Sequence, residues 1–342
     1  MERNKSIFFT IKSKIIYGLY KYFAMKSSLF RSVFRKIFVF ISENNQKKAF
    51  LSIEKYIHLL KINTYDKYNQ LTHVDVIYDE FTKSEPKYFM VATPYPYGDD
   101  RFENPSLYSS SDGIEWNDYG INPIISSNNL NGAYFSDPDI IKTNGVFRIY
   151  FRERTYDENG KIDRILSIES SDLLSWSHPK VLLEAKNQNH FSPAAVELMG
   201  KIFVFYVKFT NKIPSLVRCI DNDNAFVDIV EAKIAGIPEG GILWHIDVVI
   251  DGSTLHGAFT ISNIPNQLGK ELYYGTSTNE GLSWQIIGRI KLPEKLRANS
   301  RFIYRSSFVK TNNDNWELFL AIGMSDYSWH LLKYDNFRFE IE

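Results

Sequence analysis

Five strand–turn–strand units follow one another between residues 72 and 342 of this chain. Each opens on a polar step into an apolar run: His73-Val74-Asp75-Val76-Ile77, Phe135-Ser136-Asp137-Pro138-Asp139, Phe191-Ser192-Pro193-Ala194-Ala195, Trp244-His245-Ile246-Asp247-Val248 and Tyr304-Arg305-Ser306-Ser307-Phe308. Tight turns such as Asn144-Gly145, Gly200, Asp251-Gly252 and Asn312-Asn313 then send the chain back. Asn-Gly and Asp-Gly supply the positive φ that a short hairpin needs. With Asp75, Asp137, Ser192, Asp247 and Ser306 taken as equivalents, successive units begin 62, 55, 55 and 59 residues apart. A period above 50 residues, with four short strands in each unit, describes a β-propeller. The fold class expected is therefore all-β, a five-bladed β-propeller over residues 71–342 preceded by an α-helical N-terminal segment over residues 1–70. Asp137 precedes a proline, which predicts an extended backbone there.

A second register supports the repeat. Ser111-Asp112-Gly113-Ile114-Glu115-Trp116, Ser171-Asp172-Leu173-Leu174-Ser175-Trp176 and Asn279-Glu280-Gly281-Leu282-Ser283-Trp284 each carry an acid four residues before a Trp. The Trp spacings are 60 and 108, the second equal to two blades. These read as turns between outer strands, the acid capping the turn and the Trp packing between blades.

The N-terminal segment has a different texture. Phe8, Ile11, Ile15, Leu19 and Phe23 recur at three- and four-residue steps, as do Leu29-Phe30, Val33-Phe34 and Ile37-Phe38, so both runs read as amphipathic helices. Phe50, Ile53, Ile57 and Leu60 extend the helical phase. Residues 1–50 hold eleven Lys/Arg and two Glu, although the whole chain has 40 of each sign and no net charge. Basic aromatic helices of this kind suit the interface of an anionic membrane, which predicts membrane-surface contact through residues 7–41. Charge interrupts every apolar run, so neither a secretory signal nor the ~18 apolar residues of a spanning helix is expected. The expected location is cytoplasmic, at the inner face of the membrane. Neutral charge argues against a nucleic-acid partner. The single cysteine, Cys219, reads as a buried small side chain and rules out an internal disulfide.

In a propeller the innermost strands begin around one mouth. The repeat brings together His73 and Asp75, Asp137 and Asp139, His190 and Ser192, His245 and Asp247, and Tyr304 and Arg305. Returning loops add Tyr95, Tyr97, Asp99, Asp100, Arg101, Glu103, Arg152, Glu153, Arg154, Lys208, Asp326, Tyr327 and Trp329. Paired carboxylates suit cleavage of a glycosidic bond, one as acid and one as base or nucleophile, and aromatics suit stacking on sugar faces.

A five-bladed propeller with Ser-Asp-Pro-Asp-Ile at one blade entrance and Ser-Ser-Asp-Leu-Leu-Ser-Trp at a later turn resembles glycoside hydrolase families 43 and 32. The resemblance covers roughly residues 72–342. It implies a carbohydrate-active enzyme, with furanosidic sugars as the substrate class. It makes Asp75, in blade one, the general base and Asp137, in blade two, a supporting carboxylate. The blade-three acid of family 43 is missing, because Phe191-Ser192-Pro193 stands where a Glu precedes a small residue and Pro. Glu103 or Glu153 is then the remaining candidate acid, and the catalytic set expected is Asp75, Asp137, Glu103 and Glu153. The substrate-binding set expected is His73, Tyr97, Arg101, Asp139, His190, His245, Asp247, Tyr304, Arg305 and Trp329. No cofactor is expected and no residue set compels an axial calcium ion. A missing proton donor matters least to a transferase whose donor leaves as phosphate. The expectation therefore leans to glycosyl transfer in bacterial surface-polysaccharide assembly, with a glycan or lipid-linked sugar as partner. Glycoside hydrolysis and non-catalytic glycan binding are the alternatives.

Overall fold

The computed structural model describes residues 15, 17–19, 22, 35–37, 39–41, 56–79, 86–127, 132–263, 270–311, 315–339 and 341. The chain enters a ring of blades at β1 (Ile57–Leu60). Blade one is β2 (Leu71–Tyr78), β3 (Tyr88–Pro94), β4 (Ser106–Ser110) and β5 (Asn117–Asp118). Blade two is β6 (Tyr134–Thr143), β7 (Val146–Asp157), β8 (Gly160–Ser170) and β9 (Lys180–Lys186). Blade three is β10 (Asn189–Leu198), β11 (Lys201–Thr210), β12 (Ile213–Asp221) and β13 (Phe226–Ala235). Blade four is β14 (Gly241–Asp251), β15 (Thr254–Asn263), β16 (Lys270–Ser277) and β17 (Ser283–Arg289). In blade five, β18 (Ser300–Ile303) and β19 (Ser307–Lys310) both pair with β20 (Trp316–Met324), followed by β21 (Trp329–Tyr334). The fold is the all-β five-bladed propeller that the repeat predicts.

β1 completes blade five, pairing antiparallel with β21 from Ile57↔Tyr334 to Leu60↔Leu331. Residues 57–60 therefore depart from the helix expected through Leu60. The helical phase of Ile57 and Leu60 is overridden by a tertiary partner: the last strand of the ring needs its open edge covered. The described residues 15, 17–19, 22, 35–37 and 39–41 are helical. Phe8, Ile11, Phe23, Leu29, Phe30, Val33, Phe34, Phe38, Phe50, Ile53 and the Asn312-Asn313 turn lie outside the described residues.

Five apolar clusters fill the gaps between neighbouring blades. Phe89 and Val91 meet Ile149 and Phe151 between blades one and two. Tyr150 and Ile165 meet Val204 and Cys219 between two and three. Phe205 and Val207 meet Phe259 and Trp284 between three and four. Ala258 and Tyr274 meet Leu318 and Ile322 between four and five. Val74 and Met90 meet Phe319 and Ala321 between five and one. The inner strands are buried on both faces and so read as continuous apolar runs, whereas the outermost β9, β13 and β17 alternate or face water. β13 and β17 also pair in parallel over Lys233–Ala235, which covers two sheet edges at once.

The Trp turns behave as capping devices. Asp112 Oδ1 accepts from the Ile114 and Glu115 amides at 2.8 and 2.9 Å, and Asp172 Oδ1 accepts from Leu174 and Ser175 at 2.8 Å each. Trp116 and Trp284 donate their indole N–H to Gly113 and Gly281 carbonyls. In the third turn the cap is Asn279, which accepts from the Ser283 amide at 3.0 Å, and not Glu280, which pairs with Arg218 instead.

Candidate functional site

The mouth is shaped by a repeated irregularity. The inner strands slip register between Thr72 and Asp75, Ser136 and Asp139, Phe191 and Ala194, and Leu243 and His245. Each slip is a β-bulge, which re-aims side chains where the strand reaches the axis. His73, Asp137 and Ser192 sit in the bulges with φ of 51°, 53° and 55°. Asp137 is thus left-handed rather than extended, against the expectation from Pro138. Left-handed residues other than Gly carry strain of about 1–2 kcal/mol each and cluster where a side chain must be placed.

The bulges align three His/Asp-x-Asp triplets: His73-x-Asp75, Asp137-x-Asp139 and His245-x-Asp247. The first positions form one layer at the mouth and the third positions a layer beneath. The blade-one counterpart of Asp137 is therefore His73, two residues before Asp75.

The lower layer holds the ring together. Asp75, Asp139 and Asp247 accept from the backbone amides of Ile140, Ala195 and Phe308 at 2.7, 2.9 and 3.1 Å, each a residue of the next blade. Ser307 ties blade five back to blade one, donating to Asp75 at 2.9 Å and accepting from the Val76 amide at 3.2 Å. Arg305 is fully buried among them. Its guanidinium donates to Asp139 Oδ1 at 2.8 Å and to the Pro138 and Pro193 carbonyls at 2.6 and 3.1 Å, and lies 4.0 Å from Asp247. Burial pushes Asp139 and Asp247 well above the ordinary carboxylate range, helped by the neighbouring Asp75 and partly offset by Arg305. The three carboxylates lie close enough together for a cation, but the guanidinium already fills that role. Asp75, Asp139, Asp247 and Arg305, expected at the substrate, are placed in this layer and hold blades.

The upper layer is different chemistry. Asp137 Oδ1 lies 3.3 Å from His73 Nε2 and 3.5 Å from His245 Nδ1, and Asp137 Oδ2 lies 3.4 Å from Arg152 Nε. Burial raises the Asp137 carboxyl, but His73, Arg152, His245 and Arg305 together outweigh it and hold the group well below its usual range. On the other side of the same imidazole, His73 Nδ1 meets Thr93 Oγ1 at 2.9 Å and Glu103 Oε1 at 3.6 Å. Burial holds Glu103 well above the ordinary value, and Arg152 offsets only part of that. A carboxyl held below its ordinary range and one pushed above it therefore face opposite nitrogens of His73. Tyr304 packs on both imidazoles, with ring centroids 4.4 Å from His245 and 5.1 Å from His73.

His73, Asp137 and His245 also place two imidazole nitrogens and a carboxylate oxygen within 4.8 Å of one another. Asp137 Oδ1 is buried and accepts no aligned hydrogen bond. Two histidines and one carboxylate are a donor set that a first-row divalent cation takes, leaving positions open for water and substrate. The residues present fit such an ion. Sequence spacing gives no sign of it, because each donor comes from a different blade.

Beside this centre, Phe191 and Trp244 stack at 5.4 Å and 24°, and they line a groove of about 460 Å³ with Phe209, Asn189, Asn211 and Lys212. Trp244 Nε1 donates to Tyr304 Oη at 3.3 Å, linking groove and centre. Trp329 and Tyr95 pack together and on Tyr304 and His73. The remaining expected residues fall elsewhere. Glu153 pairs with Arg164 at 2.7 Å on the opposite strand face from Arg152. Arg101 donates its Nε to Asp99 at 2.7 Å. Tyr97 is buried against Tyr68, Phe102 and Tyr327. His190 is buried against Tyr206, with its amide bonded to Asp163 and its ring pushed down to about 4 by burial. Arg152, Thr93, Tyr95, Phe191 and Trp244 are neighbours of the centre that the expected catalytic and substrate-binding sets omit.

Neither a protein-family model nor a curated protein matches the sequence. Solved structures do match the fold. An N-acetylgalactosamine deacetylase from F. plautii, in complex with blood group B trisaccharide, superposes with a TM-score of 0.63 at 16% identity, over 78% of this chain and 90% of that one. A thermostable family-43 glycoside hydrolase superposes at 0.60 with 14% identity, over 78% and 89%. A Cellvibrio cellulosa α-L-arabinanase complexed with arabinohexaose superposes at 0.54 with 12% identity, over 77% and 90%. The chain is a five-bladed β-propeller of the architecture that family-43 glycoside hydrolases share with this deacetylase.

Proposed function

We propose that the protein is a carbohydrate-active hydrolase that works on a glycan laid in the Phe191–Trp244 groove. The observation that carries this reading is the meeting of Asp137 and Glu103 on opposite nitrogens of His73. Hydrolysis of a glycosidic bond needs one carboxylate to take a proton from water and one carboxylic acid to protonate the leaving oxygen. Asp137, held ionised by His73, Arg152 and His245, serves the first role, and Glu103 the second. His73 couples the two, and Tyr304 fixes its ring. The fold neighbours are named as hydrolytic enzymes, so hydrolysis is preferred over the glycosyl transfer that the missing blade-three acid suggested.

A second reading is favoured by two substitutions at the family-43 positions, His73 in blade one and Phe191 in blade three. Here the same centre hydrolyses an acyl group carried by a sugar, with a divalent cation held by His73, Asp137 and His245. The ion would polarise the acyl carbonyl and lower the pKa of a bound water. Glu103 then delivers the proton to the departing group. The F. plautii neighbour, named as a deacetylase, lends this reading its substrate class.

One panel separates the two. The protein is incubated with aryl arabinofuranosides and xylosides, and with N- and O-acetylated sugars, each with EDTA or with added Mn²⁺ or Zn²⁺. Turnover of aryl glycosides in EDTA supports the two-carboxylate reading. Metal-dependent release of acetate supports the second. Turnover of neither class, with oligosaccharide binding intact, sinks both.

A further inference from the structure

Among the described N-terminal helical residues, several large apolar side chains face outward while Tyr17 and Val39 pack on the propeller. Tyr17 is half-buried and stacks on Tyr327 of the propeller at 4.3 Å and 9°. Tyr17 and Val39 both pack on the cluster of Tyr68, Tyr97, Phe102 and Tyr327. That cluster backs the loops carrying Glu103 and Trp329, so both helical pieces rest on the mouth side of the ring. At about 100° per residue, Ile15 and Leu19 lie on one helix stripe and Tyr17 on the opposite one. Likewise Ile37 and Phe40 turn away from Val39's contact. The outward residues are large and wet: Ile15 is 57% exposed, Leu19 41%, Ile37 47% and Phe40 65%. A helix packed on a soluble domain normally turns polar residues to solvent. Here Ile15, Leu19, Ile37 and Phe40 face solvent, in a segment whose sequence is eleven-to-two basic within a neutral chain.

We infer that this face docks on an anionic membrane surface, holding the propeller mouth next to the lipid headgroups. Apolar and aromatic side chains inserted at the acyl boundary, with Lys and Arg in the headgroup layer, are the recipe for an interfacial helix. Charge complementarity selects lipid over a second copy of the chain, which would bring like charge against like. No helix among the described residues is long and apolar enough to cross a membrane. The substrate class follows from the geometry. A mouth held at the headgroup plane receives glycans that are themselves attached to lipid. The docking stands independently of the hydrolytic chemistry proposed above, because it is read by binding alone.

The test is co-sedimentation of the full chain with vesicles of phosphatidylcholine, and of phosphatidylcholine mixed with phosphatidylglycerol. Binding to the mixed vesicles only, weakened by salt, is expected. The pairs Ile15→Ser with Leu19→Ser, and Ile37→Ser with Phe40→Ser, should each weaken it about tenfold or more while leaving thermal unfolding unchanged. Failure of the wild-type chain to sediment with mixed vesicles overturns the inference. So does a dimer in solution that the serine variants convert to monomer, since the stripe would then cover a second copy.

Discussion

Arg305 Nη2 donates to Asp139 Oδ1 at 2.8 Å in the centre of the ring, with both side chains out of reach of water. The pair is the hub to which Asp75, Asp139 and Asp247 tie neighbouring blades. Removing the cation alone leaves three carboxyl groups in one buried layer. Arg305→Met should therefore cost about 3–5 kcal/mol, the range for breaking a buried ion pair by deleting one partner. Urea unfolding measures it, and an unchanged midpoint would show that the hub carries no stability.

The two layers predict opposite phenotypes for adjacent carboxylates. Asp75→Asn should leave turnover within a few-fold and lower stability by about 1–3 kcal/mol, because Asp75 accepts from Ile140 and Ser307. Asp137→Asn and Glu103→Gln should lower kcat by about 10²–10⁴-fold, a loss of turnover that outweighs any loss of stability. Kinetics with whichever sugar substrate is turned over, alongside urea titration, decide the matter. Loss of activity in Asp75→Asn with full stability would move the chemistry to the lower layer.

Metal titration addresses the histidines. If the cation reading holds, calorimetry with Zn²⁺ or Mn²⁺ gives one site per chain. His245→Ala should remove it, while Asp247→Asn leaves it in place. Equal binding by wild type and His245→Ala would mean that the ion sits elsewhere.

Asp66 predicts a pH dependence. Burial lifts its carboxyl to about 6, with Thr64, Tyr68 and Arg35 offsetting part of the rise. A folded-state value above the unfolded one, about 3.9, means the stabilising contribution is full below pH 4 and fades as pH rises through 6. Above pH 6 the folded protein holds a buried charge there. Asp66→Asn should thus stabilise the protein at pH 8 relative to wild type, by on the order of 2–3 kcal/mol, with the difference shrinking towards pH 4. A stability difference that is flat across this range would rule the account out.

Blade number was legible because it rests on local signals. Hairpin turns, alternating strands and the capped Trp turns each act within a few residues of themselves. β1 was not legible, since four residues in helical phase become a strand only through β21, far along the chain. The site was half legible. Glu103, Asp137, His73 and His245 were all among the expected residues and lie together in the upper layer, whereas Asp75, expected with them, lies in the layer beneath. Aligning Asp75 with Asp137 ignored the bulge, which a count of spacings cannot see. The triplets His73-x-Asp75, Asp137-x-Asp139 and His245-x-Asp247 were the available signal, since they fix the register that the bulge obscures. Arg305 could not be placed from sequence, because an arginine at a mouth and one in a hub look alike until depth is known.

The pairing of β1 with β21 has a kinetic meaning. The first strand of the ring waits for the last one to be synthesised, so the ring cannot close before Tyr334 has been made. Closing so long a loop adds modestly to its entropic cost but slows assembly, since distant contacts must form before they stabilise anything. Until then the edges of β1 and blade five stay open to other chains. The protein should be most prone to aggregate in the interval between synthesis of Leu60 and of Tyr334.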